Sequence, residues 1–408
     1  MTVRIIDAAR ILTGHGTAHT PGSIVIDGAM IGWVGRTADL PPEWVQLARE
    51  RVELAEATLL PGLIDAHVHL AFDCGFRPPD KFDDLARTAV ADTIRAATTA
   101  ATRSGVTTVR DMGAPRYIDA DTLPANIGPR VLTSTIPLTV PGGQAQSLGG
   151  VVATVADVER VIAENARRGA AWIKAVVTGG RSSGGRFSPY EPQFTDELLR
   201  AIVTTAHHHN LPVAALAHGT AGIRQAVEIG VDSLEYCTWM APGGFDVDHG
   251  LIREIAARRI AVCPIVDQHA RTSARLPWRH RRDHLRTMLT AGIPLLPGTD
   301  SGTALTPHGG LGQALTVYTD LGLTPATILE LATRQAATTL GIGHLTGTLT
   351  PGLAADILAV PGNPTQNLHT LTAPVVVVTA GHLQRLGTKR NKLRLNGVRG
   401  STPTVTGV

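Results

Sequence analysis

Eight short apolar runs, separated by longer stretches with helical spacing, set the main constraint on what this chain can fold into. They are LLPGLIDAHVHL (59–70), VTTVRDMG (106–113), RVLTSTIPLT (130–139), AWIKAVVTGG (171–180), PVAALAHG (212–219), DSLEYCT (232–238), AVCPIV (261–266) and IPLLPGTD (293–300). A strand covered on both faces reads as a continuous apolar run, and parallel neighbours need a crossover long enough to hold a helix. The segments between most runs supply one. FDDLARTAVADTIRAATTAATRSG is the clearest, with Gly105 as its stop, and DELLRAIVTTAHHHN follows Thr195 as a plausible N-cap and ends before Pro212. Periodicity alone would also allow a doubly wound sheet. The count of eight decides for an α/β fold with a (β/α)₈ TIM-like barrel over residues 58–344.

The ends of the chain have a different texture. Residues 1–57 read as short strands, VRIIDAARIL, SIVIDGAMIGWVG and RVELAEATL, with Gly and Asp-Gly turns. The same texture returns over 345–390, in TGTLTPGLAADILAV and APVVVVTAGHLQRL. The two ends are expected to combine into a small composite β-sandwich, leaving 391–408 as a loose tail.

Composition excludes several function classes. With 43% hydrophobic and 17% charged residues, the chain has the material for a large core and no signature of disorder. The net charge is +3, and its densest basic run, RHRRDHLR (279–286), reads as a solvated helix face rather than a nucleic-acid patch. Cys74, Cys237 and Cys263 are far apart and suggest neither a disulfide framework nor a zinc ribbon. The N-terminus lacks a signal-peptide pattern, and no apolar run reaches the ~18 residues of a membrane span. The expectation is a soluble, cytoplasmic protein with a small-molecule substrate and neither nucleic acid nor membrane as partner; association into a homo-oligomer stays open.

Chemistry in such barrels gathers at the C-terminal ends of the strands. The first run ends Asp65-Ala66-His67-Val68-His69, and residues two apart on a strand share a face, so both imidazoles can grip one metal ion. The eighth ends Gly298-Thr299-Asp300, where a carboxylate can ligate the same ion and move protons, or merely cap the next segment. Lys174, one of four lysines in an arginine-preferring chain, lies inside the fourth run. An ammonium buried there calls for an ion pair, a lowered pKa or carbamylation by CO₂ into an anionic metal bridge. His218, ending the fifth run, could be a ligand, a substrate contact or a structural histidine. His207, His208 and His209 sit on a helix and read as surface.

Together these residues resemble the amidohydrolase superfamily, in its imidazolonepropionase-like and Xaa-Pro-dipeptidase-like branch. The motifs that carry the likeness are LPGLIDAHVHL, GVTTVRDMG, IKAVVTGG with the following QFTDELLRAIV, PGTDSG, and TRQAATTLGI with GTLTPGLAADILAV. The resemblance implies the barrel, the composite sandwich, and a site for two zinc-like ions. His67, His69 and Asp300 match the ligands of the first ion, and Lys174 matches a carbamylated lysine bridging both. Three positions depart from the pattern: Leu216 replaces the first histidine of HAHG, Tyr236 replaces the histidine of EHG, and Gln144 replaces the histidine of GGHG. The first two losses remove the usual terminal ligands of the second ion.

One zinc or other divalent ion per chain is therefore expected, with Lys174 able to remain an amine. The leading reading is hydrolysis of an amide or cyclic amide, with Asp300 and Lys174 catalytic, His218 as an extra ligand or substrate contact, and Gln144, Arg181 and Tyr236 touching substrate. The alternative is a repurposed barrel that cyclises, condenses, dehydrates or decarboxylates in a secondary pathway. A non-catalytic scaffold fits poorly, because it needs no polar groups converging at one mouth.

Overall fold

The computed structural model describes residues 2–75, 82, 85–123, 128–180, 187–273 and 276–386. The expected tail 391–408 lies outside the described residues, as does the candidate substrate contact Arg181.

Alternating side chains build the small β-domain. Along Val3–Leu12, Val3 and Ile5 face one apolar cluster while Ile6 and Ala8 face another, the period of two that a strand buried on both sides requires. This strand pairs antiparallel with Gly22–Asp27 and parallel with Ala48–Pro61. Ala48–Pro61 pairs antiparallel with Ile357–Pro361, so the two ends of the chain share one sheet, extended by Val376–Thr379 and His382–Arg385. The first apolar run is thus split. Leu59–Pro61 ends this sheet, and only Leu63 onward enters the barrel, with Gly62 N–H donating to Asp356 O across the junction.

The barrel strands are β1 (Leu63–Val68), β2 (Val106–Asp111), β3 (Arg130–Thr133), β4 (Ile173–Val176), β5 (Val213–Gly219), β6 (Ser233–Ala241) and β7 (Ala261–Cys263). Neighbours pair in parallel from β1 to β3 and from β4 to β7. Among the connecting helices, α1 (Arg87–Arg103) buries Val90, Ile94, Ala97 and Ala101 on one face. It starts later than the pattern FDDLARTA suggested. The helix α2 (Asp196–His208) does start at Thr195, whose side chain accepts from Leu198 N–H.

Two expected strands differ from their sequence reading. The run 130–139 breaks after Thr133, where Thr135 takes φ 54° and Pro137 offers no N–H; Leu138–Thr139 resumes pairing, now with Ala175 of β4. The eighth run forms no regular ladder, because Pro294 and Pro297 cannot donate. Their carbonyls nevertheless accept from Val262 and Ala66, Asp300 N–H reaches His67 O at 2.8 Å, and His69 N–H reaches Ser301 O at 2.7 Å. These bonds close the barrel between β7 and β1.

Gly298 makes that closure possible. A Cβ there would lie 2.5 Å from Cys263 Sγ and 2.8 Å from His67 Cβ. Gly298→Ala is expected to destabilise the protein by about 1–3 kcal/mol through overpacking, read as a lower denaturant midpoint; an unchanged midpoint would show that the seam has slack.

Candidate metal centre

The seam between β1 and the eighth segment brings three predicted side chains together. His67 Nε2 and His69 Nε2 each lie 3.5 Å from Asp300 Oδ1. Asp300 holds φ 60°, an uncommon conformation for a residue other than glycine, which turns its carboxylate toward the histidines. Beside it, Asp65 accepts from Thr299 N–H at 3.0 Å and from Thr299 Oγ1 at 2.6 Å, tying β1 to the segment that carries Asp300.

Protonation makes this cluster unusual. Burial, and then the nearby Lys174, push His67 down to about 3, and burial above all holds His69 well below its ordinary value. Both rings are therefore neutral near pH 7. His67 Nδ1 is 2.6 Å from Glu235 Oε2, and His69 Nδ1 is 3.4 Å from Gly113 O, so each ring spends its one N–H on that side. Both Nε2 atoms then present bare lone pairs. His67 Nε2 and Asp300 Oδ1 are buried with no hydrogen-bond partner. Three acceptors within 4.8 Å of one another, and no proton between them, fit a cation.

The other half of Asp300 is occupied. Tyr236 donates its hydroxyl to Asp300 Oδ2 at 2.6 Å, and Thr303 Oγ1 approaches the same oxygen at 3.3 Å. Burial and then the Asp300 charge hold the Tyr236 phenol well above its ordinary value, so it keeps its proton. Burial also raises Asp300, to about 6 in the metal-free site, against the Tyr236 hydrogen bond and the charge of Lys174.

Lys174 is 2% exposed and its Nζ has no hydrogen-bond partner. Burial lowers it to about 8, against the attraction of Glu235 and Asp300. His218 stands apart from the three converging acceptors. Its ring lies 4.4 Å from that of Tyr236, with Nδ1 3.1 Å from Thr238 Oγ1. Leu216 is buried in β5. Gln144 donates its backbone N–H to Gln193 Oε1 while its own Oε1 is buried without a partner, and a Cβ on Gly180 would fall 2.1 Å from that oxygen. His207 is exposed and bonds Asp232, as a surface residue.

Two features escaped the sequence reading. Glu235 and Arg110 form a fully buried ion pair at 2.7 Å directly behind His67. Arg281 is not part of a solvated face. It is 7% exposed and donates to Pro264 O and Ile265 O after β7, because helical spacing puts it on the inward face with the buried Trp278, Leu285 and Met288. A second possible ligand grouping, His67, Glu235 and Cys263, is already committed: its His67–Glu235 contact is a hydrogen bond, and burial keeps the Cys263 thiol protonated.

The amidohydrolase family profile matches residues 58–383. The chain belongs to the amidohydrolase family. It is an enzyme of the class that hydrolyses C–N bonds. It is 26% identical to an ochratoxinase of Aspergillus niger, over 92% of this chain and 84% of that one. It is 27% identical to an imidazolonepropionase of Streptomyces avermitilis, over 82% and 79%. A crystal structure of a Xaa-Pro dipeptidase with methionine in its active site superposes with a TM-score of 0.80 at 25% identity, covering 94% of this chain and all of that one. Among the described residues no helix is long and apolar enough to cross a membrane.

Tyr236→Phe removes a buried hydrogen bond to a carboxylate. The metal-free variant is expected to lose about 1.5–3 kcal/mol of stability, measured by chemical denaturation; equal stability would mean Asp300 finds another donor.

Proposed function

We propose that this protein is a metal-dependent amidohydrolase that uses one divalent ion, zinc by the chemistry of its ligands, to cleave an amide or cyclic amide bond of a small molecule. The carrying observation is the convergence of His67 Nε2, His69 Nε2 and Asp300 Oδ1, three acceptors without a donor. A bound divalent ion supplies Lewis acidity to a carbonyl and brings the pKa of water to about 7. Similarity to an ochratoxinase and a Xaa-Pro dipeptidase supports the amide substrate class.

The chain's own groups take the remaining roles. Asp300 would offer Oδ1 to the ion and would carry a proton between water and the leaving nitrogen. Tyr236 holds Oδ2 and so limits Asp300 to one ligating oxygen. The single-ion reading is supported by Leu216 and Tyr236, since leucine cannot ligate and the Tyr236 hydroxyl keeps its proton and spends it on Asp300. Lys174 can serve as an amine beside Asp300; a carbamate there would need cations on both sides to repay its burial. His218 and Gln144 are assigned to substrate contact, a role that rests on the proposed reaction.

The pairing of Tyr236 with Asp300 also favours a second reading, in which the same barrel runs a non-hydrolytic cyclisation, condensation, dehydration or decarboxylation with Tyr236 or Lys174 as acid or base. A panel of N-acyl amino acids and dipeptides separates the two, because ready hydrolysis counts for the first and no turnover for the second.

His67→Ala is expected to lose the ion, by elemental analysis, together with at least about a hundredfold of any turnover. Full metal content or retained turnover in this variant would defeat the proposal.

A further inference from the structure

We propose that Glu235, clamped by Arg110 and Ser233, fixes the tautomer of His67 and thereby keeps its Nε2 open as a ligand atom. The inference rests on the metal reading only for its consequence, since the tautomer itself is a property of the metal-free chain.

The geometry assigns each oxygen of Glu235 a different task. Oε1 accepts from Arg110 Nη2 at 2.7 Å and from Ser233 Oγ at 2.7 Å. Oε2 is left to His67 Nδ1, at 2.6 Å. Arg110 is held in turn: its Nε donates to Ala66 O at 2.7 Å, its Nη1 to Ser233 Oγ at 3.1 Å, and its guanidinium lies 4.5 Å from the Trp172 ring centroid. His67, Arg110, Ser233 and Glu235 are all fully buried. No water is needed to complete the network, and no rotation is open to the carboxylate without breaking three bonds.

Glu235 is ion-paired with the Arg110 guanidinium at 2.7 Å, and its Oε1 accepts from both Arg110 and Ser233, the arrangement of a carboxylate rather than a carboxylic acid. An ionised carboxylate only accepts, so the proton of the neutral His67 ring must sit on Nδ1. Nε2 is then bare and faces His69 and Asp300. Arg110 also grips the carbonyl of Ala66, one residue before His67, so the same guanidinium sets both the backbone position and, through Glu235, the ring.

The arrangement makes Glu235→Gln informative although it is nearly isosteric. Two donors converge on the Oε1 position, so the amide oxygen must lie there. The NH₂ then points at His67 Nδ1, which has to become an acceptor, and the ring proton moves to Nε2, where a cation would bind. Glu235 is thus a positioning residue that acts through His67.

The test is ¹⁵N NMR of the full metal-free chain labelled at histidine, with His67 assigned by difference from His67→Asn, followed by Zn²⁺ competition against a chromophoric chelator. The wild type is expected to show His67 with a protonated Nδ1 and a bare Nε2. Glu235→Gln is expected to show the reverse, and to bind Zn²⁺ about 10–100-fold more weakly. A wild-type His67 protonated at Nε2 would overturn the inference, as would a folded Glu235→Gln protein with the wild-type tautomer and unchanged Zn²⁺ affinity. If that variant does not fold, the wild-type spectrum alone decides. A wild type with the expected tautomer that binds no Zn²⁺ would instead contradict the metal reading and leave the tautomer assignment standing.

Discussion

The seam where the eighth segment hydrogen-bonds to β1 is the constraint on which the site depends. Asp300 donates to the carbonyl of His67, and His69 donates to the carbonyl of Ser301. These two bonds set the register between strand ends more than 230 positions apart in the chain. With that register, three side chains that would each be at ease in water are carried into a largely buried space as neutral or acceptor-only groups. Leaving them unpartnered costs several kcal/mol, and a cation is the ligand that removes the cost. Fold closure and the convergence of these three acceptors are therefore two aspects of one arrangement, with Gly298 pressed between Cys263 and His67 at the seam.

The far side of the site is apolar and hydrogen-bonded in character. Where the family resemblance leads one to expect two more imidazoles, β5 carries buried Leu216 and β6 carries Tyr236, whose hydroxyl is spent on Asp300. The phenol partly neutralises the carboxylate by donating to it. Lys174 contributes positive charge from inside the barrel without a hydrogen bond of its own. The Tyr236–Asp300 hydrogen bond and the buried Lys174 side chain thus shape this side of the site.

The sequence made much of this legible, and the physical reason is locality. His67 and His69 are two apart on a strand, so their shared face follows from period two, and Asp300 ends the last of eight regular runs. Thr195 capped its helix as its residue type implied. What stayed hidden depends on contacts between distant segments. Glu235 and Arg110 lie in two different runs far apart in the chain, and only the closed barrel stacks them behind His67. Arg281 lies in a basic run whose composition does not reveal which of its members helical geometry turns inward. The apolar residues of the eighth run mark its place in the barrel, while Pro294 and Pro297 withhold the donors that a regular ladder needs.

Anomalous diffraction at the zinc edge, on crystals of the zinc-loaded protein, tests the central claim most directly. The account predicts one strong peak per chain, within bonding distance of His67 Nε2, His69 Nε2 and Asp300 Oδ1, with Lys174 as a plain amine. Two peaks bridged by a carbamylated Lys174, the second beside Leu216 and Tyr236, would contradict it.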